Sequence, residues 1–204
     1  MILTKIFYSF FSKQQIWLLT VARDNSITPL TTISTSFSCF SICPIDKDTF
    51  LVGTVRHSPP VRTVTVQGQE GYVQPGSLPN KTYKLGESWC TFVQHVKTVV
   101  FVDRFAHSVH FYNLDNGTNV TVQNSDISRP RGVCGGGDRG SVFLCSSDTG
   151  TIVQMSARGE LVKAHKVDMD NPCIICVSKD GSRIVVANNI QHEMPILKIF
   201  RVEY

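Results

Sequence analysis

Residues 130–161 read PRGVCGGGDRGSVFLCSSDTGTIVQMSARGEL. The glycine cluster from Gly132 to Gly140 allows two readings, a phosphate loop that opens a helix or a turn between two strands. A phosphate loop needs a helix after its glycines and a Lys-Ser/Thr pair to hold phosphate and magnesium. Here Val142-Phe-Leu-Cys145 follows, an apolar run of strand length, and no lysine stands in the loop. The stretch is strand, turn, strand.

The stretch repeats. Pro130 and Cys134 find Pro172 and Cys176 at a spacing of 42 residues, and Asp138, Val142, Phe143 and Leu144 meet Asp180, Ile184, Val185 and Val186 at the same spacing. One step earlier, Val100-Phe-Val102 lies under Val142-Phe-Leu144 and Phe92 under Cys134. A blurred first copy runs from Cys39-Phe-Ser-Ile-Cys43 through Phe50–Thr54 to Pro60–Val66, and a Pro- and Gly-rich insertion at 68–80 follows it. The pairs Asp138 with Gly140 and Asp180 with Gly181 read as hairpin turns.

Between these marks the chain is built of short runs rich in Val, Ile, Thr and aromatics, such as TFLVGT (49–54), TVVFVDR (98–104), VHFYNL (109–114) and RIVVAN (183–188). Gly, Pro, Asn, Asp or Ser clusters separate them, the pattern of strands and turns. Almost no helical periodicity is present, so the fold class is all-β. A period near 42 with three or four strands per unit describes the blades of a β-propeller, each of which needs neighbours to bury its faces. Four blades are expected, at about 37–85, 86–129, 130–171 and 172–204. Their innermost strands would be Cys39–Cys43, Trp89–Val93, Gly132–Gly135 and Cys173–Val177. Residues 1–36 are a strand-rich segment, expected as an incomplete blade or as a ring-closing strand supplied by Gln15–Val21 or Ile27–Ser34.

The totals set limits. With 204 residues, 42% hydrophobic and 18% charged, the chain can bury a core. A net charge of +4 permits an acidic partner but falls short of a dedicated nucleic-acid domain. The N-terminal apolar stretch is interrupted by Lys13, Gln14 and Gln15 before it reaches membrane-spanning length, so no membrane role is expected. We read it as the start of a strand-rich fold or a point of truncation. Seven cysteines sit mostly in apolar runs, as buried reduced thiols of a cytoplasmic protein do. The sequons at Asn80, Asn116 and Asn119 are read as chance products of Thr- and Asn-rich turns.

The units P-x-G-V, D-x-G, V-F-L-x-S, I-V-Q-M and R-G-E of residues 130–161 resemble the NHL repeat. Over about residues 37 to 204 the run resembles the C-terminal propeller of tripartite-motif (TRIM-NHL-like) proteins of invertebrates. The resemblance implies a partner-recognition propeller, and in some members a propeller that binds single-stranded RNA. Family propellers usually have six blades, so about four units imply a partial or truncated ring or a smaller closed one. No RING or B-box zinc pattern and no coiled-coil heptad stands in the sequence, so the ubiquitin-ligase module of such a parent is not part of this chain.

Catalytic signals are weak. Cys173-Ile-Ile-Cys176 lies in a strand, where residues three apart point to opposite faces and cannot share a metal. The histidines lack metal spacing, and no G-x-S-x-G elbow appears. No enzyme activity, cofactor, metal or small-molecule substrate is expected; a propeller hydrolase is the remote alternative. In an up-and-down blade the second-to-third-strand loops share a face with the blade crossings. That face would carry Arg104, His107, Arg129, Arg131, His165 and Lys166, with Asp103, Asp168 and Asp170 diluting its charge. A protein partner is the first expectation, and single-stranded RNA the second, since Arg and His meet phosphates and stack on bases.

Overall fold

The computed structural model describes residues 4–9, 14–24, 26–73, 86–136, 140–178, 180–188 and 196–202. Within them the chain is all-β apart from one short 3-10 turn at Gln94–Val96. Four antiparallel sheets follow the repeat. The first joins β4 (Cys39–Pro44), β5 (Thr49–Thr54), β6 (Val61–Thr65) and β7 (Glu70–Tyr72) in sequence order. The second joins β8 (Ser88–Val93), β9 (Thr98–Asp103), β10 (Ser108–Asn113) and β11 (Asn119–Val122), and the third β12 (Pro130–Gly136), β13 (Ser141–Ser146), β14 (Thr151–Ser156) and β15 (Leu161–Lys166). The fourth holds β16 (Pro172–Val177), β17 (Arg183–Asn188) and β18 (Leu197–Arg201). The 42-residue spacing is carried by the backbone itself, since β12 and β16 both open on the proline of the unit.

The N-terminal segment forms a sheet of its own, β1 (Thr4–Ser9), β2 (Gln15–Val21) and β3 (Ile27–Ser34). Neither β2 nor β3 closes the ring, because both are hydrogen-bonded in this sheet and not to β16–β18. The innermost strands stand side by side in the order β1, β4, β8, β12, β16. Each sheet packs face to face on the next, so alternate residues of one strand serve different cores. Phe50 and Val52 of β5 meet Ile16, Ile33 and Phe37 on one side, and Leu51 meets Cys90, Val99 and Phe101 on the other. Val100 and Val102 meet Val142 and Leu144; Phe143 and Cys145 meet Ile175, Ile184 and Val186. Each such side chain withdrawn from water contributes about 1.5–3 kcal/mol before entropy is counted.

Burial of the second strands tells where the stacking stops. β5, β9 and β13 are buried on both faces along almost their whole length. β17 has the same apolar composition, yet it alternates between buried and partly exposed residues. The uncovered face of its sheet presents Ile174 of β16 at 43% and Leu197 and Ile199 of β18 at 61% and 63% exposure. β2 alternates in the same way at the other end. The described residues therefore form an arc of stacked blades with one free face at each end.

Adjacent blades are also pinned by side chains. Ser41 Oγ donates to Ser88 O at 2.9 Å and accepts from Cys90 N at 3.0 Å. Ser41→Ala would leave both backbone groups buried and unpaired, which costs about 2 kcal/mol. A matching drop in the urea midpoint checks this.

One of the two turns needs a correction. The 180–181 turn is not a two-residue hairpin, because Ser178 N–H donates to Arg183 O and closes a longer loop. Gly181 takes φ +73 there, and the Asp180 carboxylate accepts from Ser178 Oγ, Ser182 N and Ser182 Oγ. These donors, the Ser178 hydroxyl first, hold the Asp180 pKa down to about 2. In the preceding unit Asp138 lies outside the described residues, and Gly140 takes φ +71 against the His95 ring.

Candidate functional site

The innermost strands of the four repeat sheets line the inside of the arc, along its axis, and their second residues are Phe40, Trp89, Arg131 and Cys173. In β4, β12 and β16 this residue sits at a register shift, an extra residue against the second strand that re-aims its side chain. Neighbours on this level touch: Phe40 meets Trp89 edge to face at 5.1 Å, and the Cys173 thiol lies against the Arg131 guanidinium. Burial raises the Cys173 pKa, with Arg131 opposing, so this thiol stays protonated and is a poor nucleophile.

Just outside this level stand the loop after β9 and the crossing into β12. Asp103 accepts from Phe105 N at 3.0 Å and Ala106 N at 2.9 Å, which folds the loop tightly and aims Arg104 and His107. His107 Nδ1 then accepts the Arg129 N–H at 3.1 Å and lies 3.4 Å from Ser128 Oγ. Arg129 adopts φ +46, and Asn171, its counterpart one unit later, adopts φ +48. The left-handed residue before the proline is thus a recurring entry into the inner strand.

Arg104, Arg129 and Arg131 consequently share one mouth. Burial first, then the charges of Arg131 and Arg129, pull the Arg104 pKa below its ordinary value. Two of the three have carboxylate partners, Arg104 with Glu87 at 3.1 Å and Arg129 with Asp148 at 3.5 Å. Arg131 has none among the described residues. Phe105 is 45% exposed and lies beneath the Arg104 guanidinium at 5.5 Å.

Of the six residues expected on this face, Arg104, His107, Arg129 and Arg131 meet at the mouth. Lys166 is farther out on β15, where Nζ donates to Thr149 O at 3.1 Å. His165 points from β15 into the groove toward β17 and β18. Asp168 lies with Lys198, and the loop at 189–193, also expected on this face, is outside the described residues. Phe40, Trp89 and Glu87 were not expected at the site; the second position of each unit's first strand was the signal that could have found Phe40 and Trp89, whereas Glu87 lies just before β8.

The cysteines are all free, but Cys176 is exposed, not buried, because the face it occupies has no blade over it. Among the described residues no group of three His, Cys, Asp or Glu could hold a metal. No helix among the described residues is long and apolar enough to cross a membrane. Asn116 is exposed and Asn119 opens β11, while Asn80 lies outside the described residues.

No known protein family matches this sequence, and no curated protein does. Solved structures match by shape. A chain of a nidogen/laminin complex superposes with a TM-score of 0.70 at 11% identity, over 90% of this chain and 69% of that one. The fold is a β-propeller. Streptogramin B lyase matches this propeller with a TM-score of 0.57 at 12% identity, over 97% of this chain and 68% of its own. Hydrazine synthase of Kuenenia stuttgartiensis matches with 0.62 at 13%, over 84% of this chain and 48% of its own. The chain thus spans between about half and two thirds of these neighbours. Identities this low carry the fold alone, and the proteins so named differ widely.

Proposed function

We propose that this propeller is a non-catalytic recognition module, the partner-binding part of a protein similar to the tripartite-motif family, and that its arginine mouth holds an acidic protein segment. One observation carries the reading: three guanidiniums converge where the axis opens, and Arg131 has no carboxylate partner among the described residues. A Glu or Asp side chain there gains charge-assisted, bidentate hydrogen bonds and relieves the mutual repulsion of the cations. The protonated Cys173 and the aromatic pair Phe40–Trp89 suit contact better than bond-making.

Phe105 supports a second reading, single-stranded RNA, since an exposed ring beside Arg104 can stack on a base. Arginine substitution tests the first. Arg104→Ala with Arg131→Ala is expected to weaken binding of a Glu-rich peptide at least about tenfold, roughly the value of one or two charged hydrogen bonds. Lys47→Ala, an exposed cation away from the mouth, is the control. Equal affinity in all three proteins would sink the reading.

A further inference from the structure

Between the third and fourth repeat sheets lies a second cavity, of about 300 Å³, that the arginine mouth does not use. Its inner wall is apolar. Phe143 and Ile152 come from one sheet, and Ile184 and Phe200, a cross-strand pair, from the other. Its outer end is cationic. Lys163 and His165 on β15 are the cross-strand partners of Gln154 and Ile152, so they continue the same face outward from the apolar wall. Arg201 stands across from them at the end of β18.

Three further facts define what fits. Among the described residues no aspartate or glutamate lines the cavity. Lys163, His165 and Arg201 have no hydrogen-bond or ion-pair partner among the described residues, whereas Lys166 is tied to Thr149 O. The sheet of β16–β18 has three described strands where its predecessors have four, so nothing described covers the cavity opposite β15. An apolar slot of this volume is at the small end of ligand sites, about 300–1,000 Å³.

We propose that this groove binds a small amphipathic carboxylate, with its hydrocarbon part against Phe143, Ile152, Ile184 and Phe200 and its carboxylate among Lys163, His165 and Arg201. The apolar wall supplies affinity through desolvation, and the cations select the charged headgroup over a neutral one. A basic rim facing a described lining without carboxylates is the charge complementarity that commits the site to an anion.

Titration calorimetry with decanoate and with decanamide, its uncharged counterpart, tests this on the whole chain. One decanoate per chain is expected, with decanamide weaker by about tenfold or more. In the double variant Lys163→Gln, Arg201→Gln, decanoate affinity should fall about tenfold while decanamide affinity holds. Both side chains are exposed, so the fold should survive, and an unchanged melting temperature verifies it. The proposal fails if decanoate does not saturate at one per chain. It fails equally if decanamide matches decanoate, or if the double variant binds decanoate as the wild type does. A peptide strand that adds to β18 and closes the groove, leaving no decanoate uptake, would also overturn it.

Discussion

Gly53→Ala is expected to destabilise the protein by more than about 4 kcal/mol, or to prevent folding. A Cβ on Gly53 would lie 1.9 Å from Ser88 O and 2.4 Å from Ser41 Oγ, distances no real methyl group tolerates. The contact is rigid on every side. Ser88 is backbone in the neighbouring inner strand, and Ser41 is the hydroxyl that pins the two blades together. The methyl can be accommodated only by separating the sheets, which uncovers Leu51, Cys90, Val99 and Phe101. Gly117→Ala is the comparison. Gly117, unlike Gly53, has positive φ, +70, but its nearest neighbour is Tyr112 Oη at 3.7 Å. Its cost should stay near the conformational one, about 1 kcal/mol. Urea unfolding of both variants tests this. A Gly53→Ala protein within about 1 kcal/mol of the wild type would mean the blades do not pack as described.

Acid is expected to weaken the fold through His110. This ring is fully buried on β10, stacked on Phe101 at 4.7 Å, with Nε2 3.0 Å from Ser108 Oγ and Nδ1 3.0 Å from Thr121 Oγ1. Burial lowers its pKa to about 4, with the Asp103 charge opposing. In the unfolded chain the group titrates near 6.5. Between these values the unfolded state binds a proton that the native state refuses, so stability falls as pH drops from about 6.5 to 4 and then levels off. The full difference is about 3 kcal/mol. His110→Gln keeps a hydrogen-bonding side chain and removes the titration. The urea midpoint of the wild type should drop between pH 7.5 and 4.5 by more than that of the variant. Identical pH profiles would contradict a buried neutral imidazole. Asp180 does not interfere, because its stabilising charge is lost only as pH falls from about 4 toward 2.

Much of the fold was legible in the chain because the repeat fixes local structure at each copy. Val100, Val142 and Ile184 recur as the apolar second strand, and the prolines at 130 and 172 mark the first. What the sequence did not disclose depends on neighbours and not on composition. RIVVAN at 183–188 reads as a doubly buried strand, and it is buried on one side only because the stacking ends there. Cys176 is exposed for the same reason. Residues 27–34, ITPLTTIS, could equally close a ring or edge a blade. The outcome rests on their pairing with β2, in a strand that keeps only Ile33 buried.

The site was legible in part. Loop alternation in an up-and-down blade brings Arg104, His107, Arg129 and Arg131 to one end, and spacing alone gives that. The register shifts that turn Phe40, Arg131 and Cys173 are backbone events with no residue signature. His165 looked like part of the same face, but its position on β15 turns it into the groove between blades.

The central claim is that the arginine mouth recognises acidic protein. The most direct test measures, at one ionic strength, the affinity of the whole chain for a Glu-rich peptide and for single-stranded oligouridylate, with and without Arg131→Ala. The account predicts the peptide to bind more tightly and Arg131→Ala to weaken it at least about tenfold. Tighter binding of the oligouridylate, or peptide binding indifferent to Arg131, would contradict it.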